Sequence, residues 1–164
     1  MANTVHGLGL GKTDEWVTPP RVFEALGDPE FDLDVACPVL KPPHIRAREW
    51  YSQGALEREW RGFVWMNPPF GGRGALRPWL EKFIAHGNGL ALTPDRVSAP
   101  WFQDLWPYAT AVLFTPKTSF LLPDGSKSGN PAFGNAIWAC GPRAMQCVNH
   151  AADSGFGRLT RVIG

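Results

Sequence analysis

At 164 residues the chain has the size of one domain, long enough to bury a single hydrophobic core. Charged residues make up only 19% against 44% hydrophobic, which excludes a disordered chain, while 16 prolines and 18 glycines announce frequent turns. A formal net charge of +1 argues against a general polyanion binder and leaves a local basic face open.

No apolar run approaches the length of a membrane span, about 18 residues or more, and no basic-then-apolar leader is visible, so neither a membrane span nor a secretion signal is expected. Cys37, Cys140 and Cys147 are odd in number and lack CxxC spacing, so reduced thiols in a cytoplasmic protein are the expected state. Cys147 and His150 share a helical spacing, but two ligands do not make a metal site, and no metal is expected.

Residues 1–13 read as a flexible arm and 14–164 as one domain. Gly7-Leu8-Gly9-Leu10-Gly11-Lys12-Thr13 superficially suggests a phosphate loop, but His6 stands where that loop needs its first glycine. Asp14-Glu15-Trp16-Val17-Thr18-Pro19-Pro20 leads into a helix over Arg21–Leu26, with Val22, Phe23 and Leu26 on its apolar face. Thr18 is the expected cap, since the first turn tolerates the prolines. Such a start is either purely structural or a place where free N–H groups hold a carboxylate.

Phe31-Asp32-Leu33-Asp34-Val35-Ala36-Cys37-Pro38 alternates apolar and acidic residues and stops at proline, reading as the first central strand. Asp32 fits a solvated face. Asp34, near the strand's carboxyl end, suits a cationic or hydroxyl-bearing ligand. Residues 38–61 are mixed, with His44–Tyr51 ambiguous, and its charges read either as a solvated face or, for Glu49, as a reach towards a ribose.

Gly62-Phe63-Val64-Trp65-Met66 reads as a buried strand, and it delivers Asn67-Pro68-Pro69-Phe70 to its carboxyl end before Gly71-Gly72-Arg73-Gly74. An Asn amide oxygen and a proline carbonyl are acceptors, and proline has no N–H to compete with them. The proline after Asn67 stiffens the turn. Two fixed acceptors beside an aromatic face could grip a planar group bearing an NH2 and draw its lone pair out of conjugation. The competing reading is a Pro-Pro turn with Phe70 capping the core.

Further along, a helix is expected over Leu76–His86, a strand over Gly89–Thr93 and a short helix over Ala99–Trp106. Strands over Thr110–Thr115, Asn135–Ala139 and Leu159–Ile163 follow, with a helix around Ala144–Ala151. The turn-rich segment Leu121–Phe133 is either a surface loop or a contact for a substrate strand. This alternation predicts a three-layer α/β domain with a mostly parallel sheet.

Thr18-Pro19-Pro20, the Phe31–Pro38 run and Asn67-Pro68-Pro69-Phe70 occur in the order found in amino-methylating DNA methyltransferases. From about Asp14 to Gly141 the chain resembles the compact phage-encoded N6-adenine DNA methyltransferases, the phage Dam family. The resemblance implies a Rossmann-like, S-adenosylmethionine-dependent methyltransferase fold. It implies that Trp16, Thr18 and Pro19 border the cofactor's methionine end, that Asp34, Ala36 and Cys37 form the acidic first cofactor motif, and that Asn67, Pro68, Pro69 and Phe70 are catalytic. Three features depart from the family: no glycine-rich turn follows the acidic strand, Lys117 stands where relatives often carry arginine, and no separate target-recognition domain is present.

The expected activity is therefore methyl transfer from S-adenosylmethionine to the amino group of an adenine flipped from DNA, in a bacterial host or phage-infected cell. Phe70 would stack on the base, while Asn67 and the Pro68 carbonyl take the amino hydrogens. Cytosine-N4 methylation, a catalytically silent DNA-binding protein of the same fold, and an RNA or protein methyltransferase are the alternatives. A homodimer on duplex DNA is left open, with no interface signature in the sequence.

Overall fold

The computed structural model describes residues 16–72, 74–129 and 133–162. The arm expected over residues 1–13, with its rejected phosphate loop, lies outside the described residues.

Seven strands, β1 (Phe31–Asp34), β2 (Ala47–Trp50), β3 (Val64–Met66), β4 (Gly89–Pro94), β5 (Ala111–Thr115), β6 (Asn135–Cys140) and β7 (Arg158–Arg161), form one sheet in the order β2-β1-β3-β4-β6-β5-β7. The principal helices are α1 (Pro20–Ala25), α2 (Leu76–His86), α3 (Pro100–Leu105) and α4 (Pro142–Asp153), and a 3-10 turn, Trp106–Tyr108, follows α3.

The sheet is mixed, which corrects the expectation of a mostly parallel one. β2, β1, β3 and β4 are mutually parallel neighbours, whereas β6 runs antiparallel to both β4 and β5, and β7 antiparallel to β5. Parallel neighbours need a crossover, usually helical. The chain between β5 and β6 has no helix among its described residues, so it returns as an antiparallel neighbour and inserts β6 between β4 and β5.

Side-chain alternation sends the sheet's two faces into two cores. Phe31, Phe63, Trp65, Leu92 and Ile137 pack with Val22, Phe23 and Leu26 at α1 and with Ala144 and Val148 of α4. Leu33, Val64, Met66, Ala91 and Trp138 pack with Leu80 and Phe83 of α2 and with Phe102 of α3. Helices thus cover both faces, giving the expected three layers. Trp138 is fully buried, and its one polar atom donates to Thr93 Oγ1 at 2.9 Å, avoiding the roughly 1–3 kcal/mol cost of an unmet donor.

Local chemistry sets the ends of α2. Leu76, Leu80 and Phe83 recur at helical spacing and are buried, and Gly87 closes the helix in the left-handed conformation with its N–H on the Phe83 carbonyl. Thr18 is not the cap of α1. Pro19 occupies the N-cap position with extended backbone and no side-chain cap bond, which puts Thr18 one residue too early to reach the helix N–H groups.

β1 has β2 on one side and β3 on the other, so the strand order reverses at β1. In open α/β sheets a crevice opens outside the carboxyl ends of the strands at such a reversal. Asp34 ends β1 and Asn67 follows directly on β3.

Candidate active site

The turn after β1 is built by backbone bonds from three directions. Tyr51 N–H donates to the Asp34 carbonyl at 2.8 Å, Cys37 N–H to the Tyr51 carbonyl at 3.0 Å, and Val35 N–H to the Trp65 carbonyl at 3.0 Å. Asp34 itself is 1% exposed, and its Oδ1 accepts the Ala36 N–H at 3.2 Å. Burial pushes its carboxyl up to about 7, against the opposing pull of the Ala36 N–H, the Cys37 side chain and the Lys41 ammonium. Asp34 therefore braces the turn from inside.

Asn67 is half-buried at the end of β3. Its Nδ2 donates to the Trp16 carbonyl at 2.7 Å, which dictates the amide's orientation, because only the NH2 side can bond a carbonyl. Its Oδ1 is buried and has no hydrogen-bond partner among the described residues. An acceptor left unmet in this way is worth about 1–3 kcal/mol against the fold, a cost that a ligand donor would relieve. Thr18 Oγ1 and Asn135 Oδ1 are also unpartnered among the described residues. Thr18 is fully buried, and its carbonyl accepts a ring N–H of His44 at 2.7 Å.

A cavity of about 340 Å³ opens at the switch point. Trp16, Ala36, Cys37, Asn67, Pro68 and Pro69 line it, so six of the candidate residues, separated widely in sequence, come together there. Thr18, Pro19, Asp34, Glu49 and Phe70 do not line it. Glu49 is exposed on β2, the strand at the sheet's edge, opposite Leu33.

The opposite wall is the segment Tyr51–Glu57, with Trp79 of α2 beside it. The Lys82 ammonium, also on α2, donates to the carbonyls of Ala55, Leu56 and Arg58, and the Trp60 indole donates to Ala55 at 2.8 Å. One cation and one indole thus pin a wall with no regular secondary structure of its own. Arg58 lies over the Tyr51 ring, 3.7 Å from its centroid. The sequence reading missed Tyr51, Glu57 and Trp79. The available signal was the short loop directly after the β2 acid.

Phe70 packs away from this cavity. Its ring meets Phe120 edge-on at 6.0 Å and Phe133 at 6.5 Å, and Phe120 meets Trp16 at 6.3 Å. Phe70 is half-buried against the core containing α1 and α4, which joins the competing capping role to the expected aromatic face. Asn67-Pro68-Pro69 therefore stands between a cavity and an aromatic cluster.

No protein-family model, curated protein or solved structure matches this chain. The chemistry of the site follows from its geometry. It combines a cavity of small-molecule size, aromatic faces at Trp16, Tyr51 and Trp79, a carboxylate at Glu57, and an amide whose nitrogen is committed and whose oxygen is unmet. Such a set can hold a flat ligand with hydroxyl groups and present one acceptor to a neighbouring NH2. Among the described residues no cluster of three or more His, Cys, Asp or Glu could hold a metal, and no helix is long and apolar enough to cross a membrane.

Proposed function

We propose that the chain is an S-adenosylmethionine-dependent DNA N6-adenine methyltransferase with a Rossmann-like methyltransferase fold, of the phage Dam type. The observation that carries this reading is Asn67 at the topological switch point, with Nδ2 tied to Trp16, Oδ1 unpartnered, and the residue lining the same cavity as Ala36 and Cys37.

The residues present fit the cofactor. Trp16, Tyr51 and Trp79 offer faces for an adenine ring, Glu57 offers acceptors for ribose hydroxyls, and the turn after Asp34 closes the side nearest β1. S-adenosylmethionine supplies a sulfonium methyl group when bound. The chain's own task is to prepare the acceptor nitrogen. Asn67 Oδ1 takes one amino hydrogen, and the Pro68 carbonyl takes the other with no N–H of its own to interfere. Both bonds favour a pyramidal nitrogen whose lone pair is no longer shared with the ring. Oδ1 is covered as the chain stands, so base entry requires its cover to move. Phe70, with Phe120 behind it, offers the stacking surface, a contact worth about 1–3 kcal/mol for a base.

The test is transfer of a tritiated methyl group from S-adenosylmethionine to DNA, followed by digestion to nucleosides. Label in N6-methyldeoxyadenosine is expected. Label in N4-methyldeoxycytidine would move the reaction to cytosine, and DNA that stays unlabelled would reject the reading.

A further inference from the structure

We propose that Arg21, Arg96, Lys117 and Lys127 form a rim that holds the phosphodiester backbone of the acceptor DNA as a single strand. The proposal rests on the DNA methyltransferase reading and adds to it where the strand lies and in what form.

Three loops, those after β3, β4 and β5, and the start of α1 converge on the aromatic cluster. Arg21 Nη2 donates to the Lys117 carbonyl at 3.1 Å, joining α1 to the segment after β5. Leu121 makes bridges to both Val17 and Lys127, and Ser128 N–H donates to the Phe120 carbonyl at 2.9 Å, which folds the Lys127 turn onto Phe120. The Arg96 guanidinium lies over the Phe133 ring, 5.6 Å from its centroid. Phe120 and Phe133 both meet Phe70. The segments that carry the four cations therefore meet at the cluster of Phe70, Phe120 and Phe133, which does not line the cavity.

All four are exposed, and none takes part in an ion pair with another described residue. The ion pairs among the described residues engage Arg46, Arg48, Arg61 and Arg77 instead. Two acids lie in the same loops. Asp124 is occupied by the N–H and hydroxyl of Ser126. Asp95 is pressed on Gly134, where a Cβ would stand 2.2 Å from its Oδ2. On a chain whose net charge is only +1, four exposed cations against these two acids leave a local excess of positive charge beside the half-buried rings of Phe70 and Phe133. Cations that track a backbone beside aromatics that stack bases are the pattern of single-strand binding. A single strand offers its bases to such a surface without the unpairing that flipping from a duplex costs.

The experiment follows fluorescence anisotropy of a labelled single-stranded deoxyoligonucleotide across a salt series, using the full chain, the Lys117→Ser/Lys127→Ser double variant and Arg161→Ser on β7 as control. Single-strand neutralisation gives a log K against log salt slope of roughly 0.7 per phosphate contact, so the double variant should flatten the slope by roughly 1.4 while the control leaves it unchanged. The matching duplex should bind the wild type more weakly. An unchanged slope in the double variant, or tighter binding of the duplex, overturns the proposal. Methyl transfer to DNA by the wild type is scored separately: transfer with an unchanged slope sinks the rim and leaves the enzyme reading standing, whereas no transfer and no cofactor binding by calorimetry sinks that reading itself.

Discussion

Asn67 Nδ2 donates to the Trp16 carbonyl at 2.7 Å, across 51 positions of sequence, and so fixes which side of the amide remains available. The bond ties the end of β3 to the segment that enters α1. It also sets both residues on the lining of one cavity.

Asn67→Ala removes one hydrogen bond together with one unmet acceptor, and the two losses offset. Stability to urea should stay within about 1 kcal/mol of wild type. Methyl transfer should fall on the order of 100-fold or more, as when a single preorganised polar contact is deleted from an active site, while calorimetric affinity for S-adenosylmethionine stays within a few-fold. Turnover close to wild type would remove Asn67 from the chemistry.

Asp34 links stability to pH in the opposite direction from an ordinary paired carboxylate. Its unfolded value is 3.8 and burial raises the folded one to about 7, so folding takes up a proton between those limits. The stabilising contribution is fully present below 3.8 and is lost as pH rises through about 7, in total on the order of 4 kcal/mol. Asp34→Asn keeps an oxygen for the Ala36 N–H and cannot ionise. Urea unfolding should therefore show the variant gaining on wild type between pH 5 and pH 8, with most of the difference accumulating below about 7. Parallel stability curves would contradict this.

Lys82 holds two carbonyls of the cavity's wall, those of Ala55 and Leu56, and the Arg58 carbonyl next to it. Lys82→Met keeps much of the aliphatic stem and loses the charge-assisted bonds, so it should cost about 2 kcal/mol in urea unfolding. Affinity for S-adenosylmethionine should weaken about tenfold, because the Tyr51–Glu57 wall loses its anchor. Unaltered affinity would show that the wall holds without it.

On the proposed cofactor reading, Glu49 and Glu57 are the two candidate acids for the ribose, and they differ in position. Glu57 lines the cavity and Glu49 does not. Calorimetry with Glu57→Gln should show weaker cofactor binding by roughly tenfold, a loss the size of one charged hydrogen bond. Glu49→Gln should bind like wild type, and the reverse order would restore Glu49 to the site.

Phe70 serves the fold as well as its proposed stacking role. Phe70→Ala removes a half-buried ring from its contacts with Phe120 and Phe133, and should cost about 1–2 kcal/mol of stability. Phe70→Leu should recover most of that stability in thermal melts, yet leave DNA affinity reduced because no ring is present to stack. Full DNA affinity in the leucine variant would argue against stacking.

The sequence by itself determined the elements and the tetrapeptide's place among them. The apolar spacing of Leu76, Leu80 and Phe83 with Gly87 behind it carries the limits of α2, and the run Val64-Trp65-Met66 followed by prolines carries Asn67 to a strand end. These signals are local, set by periodicity, steric limits and missing N–H groups. Tertiary structure decided what depends on contacts between distant segments. It inserted β6 between β4 and β5, so the sheet is mixed, and it sealed Asp34 under its own turn. Glu49 was left on the outer edge while Glu57 was brought to the cavity. The reason is physical: strand order, burial and the orientation of an amide are fixed by partners far along the chain, and no spacing within a short window encodes which partner arrives.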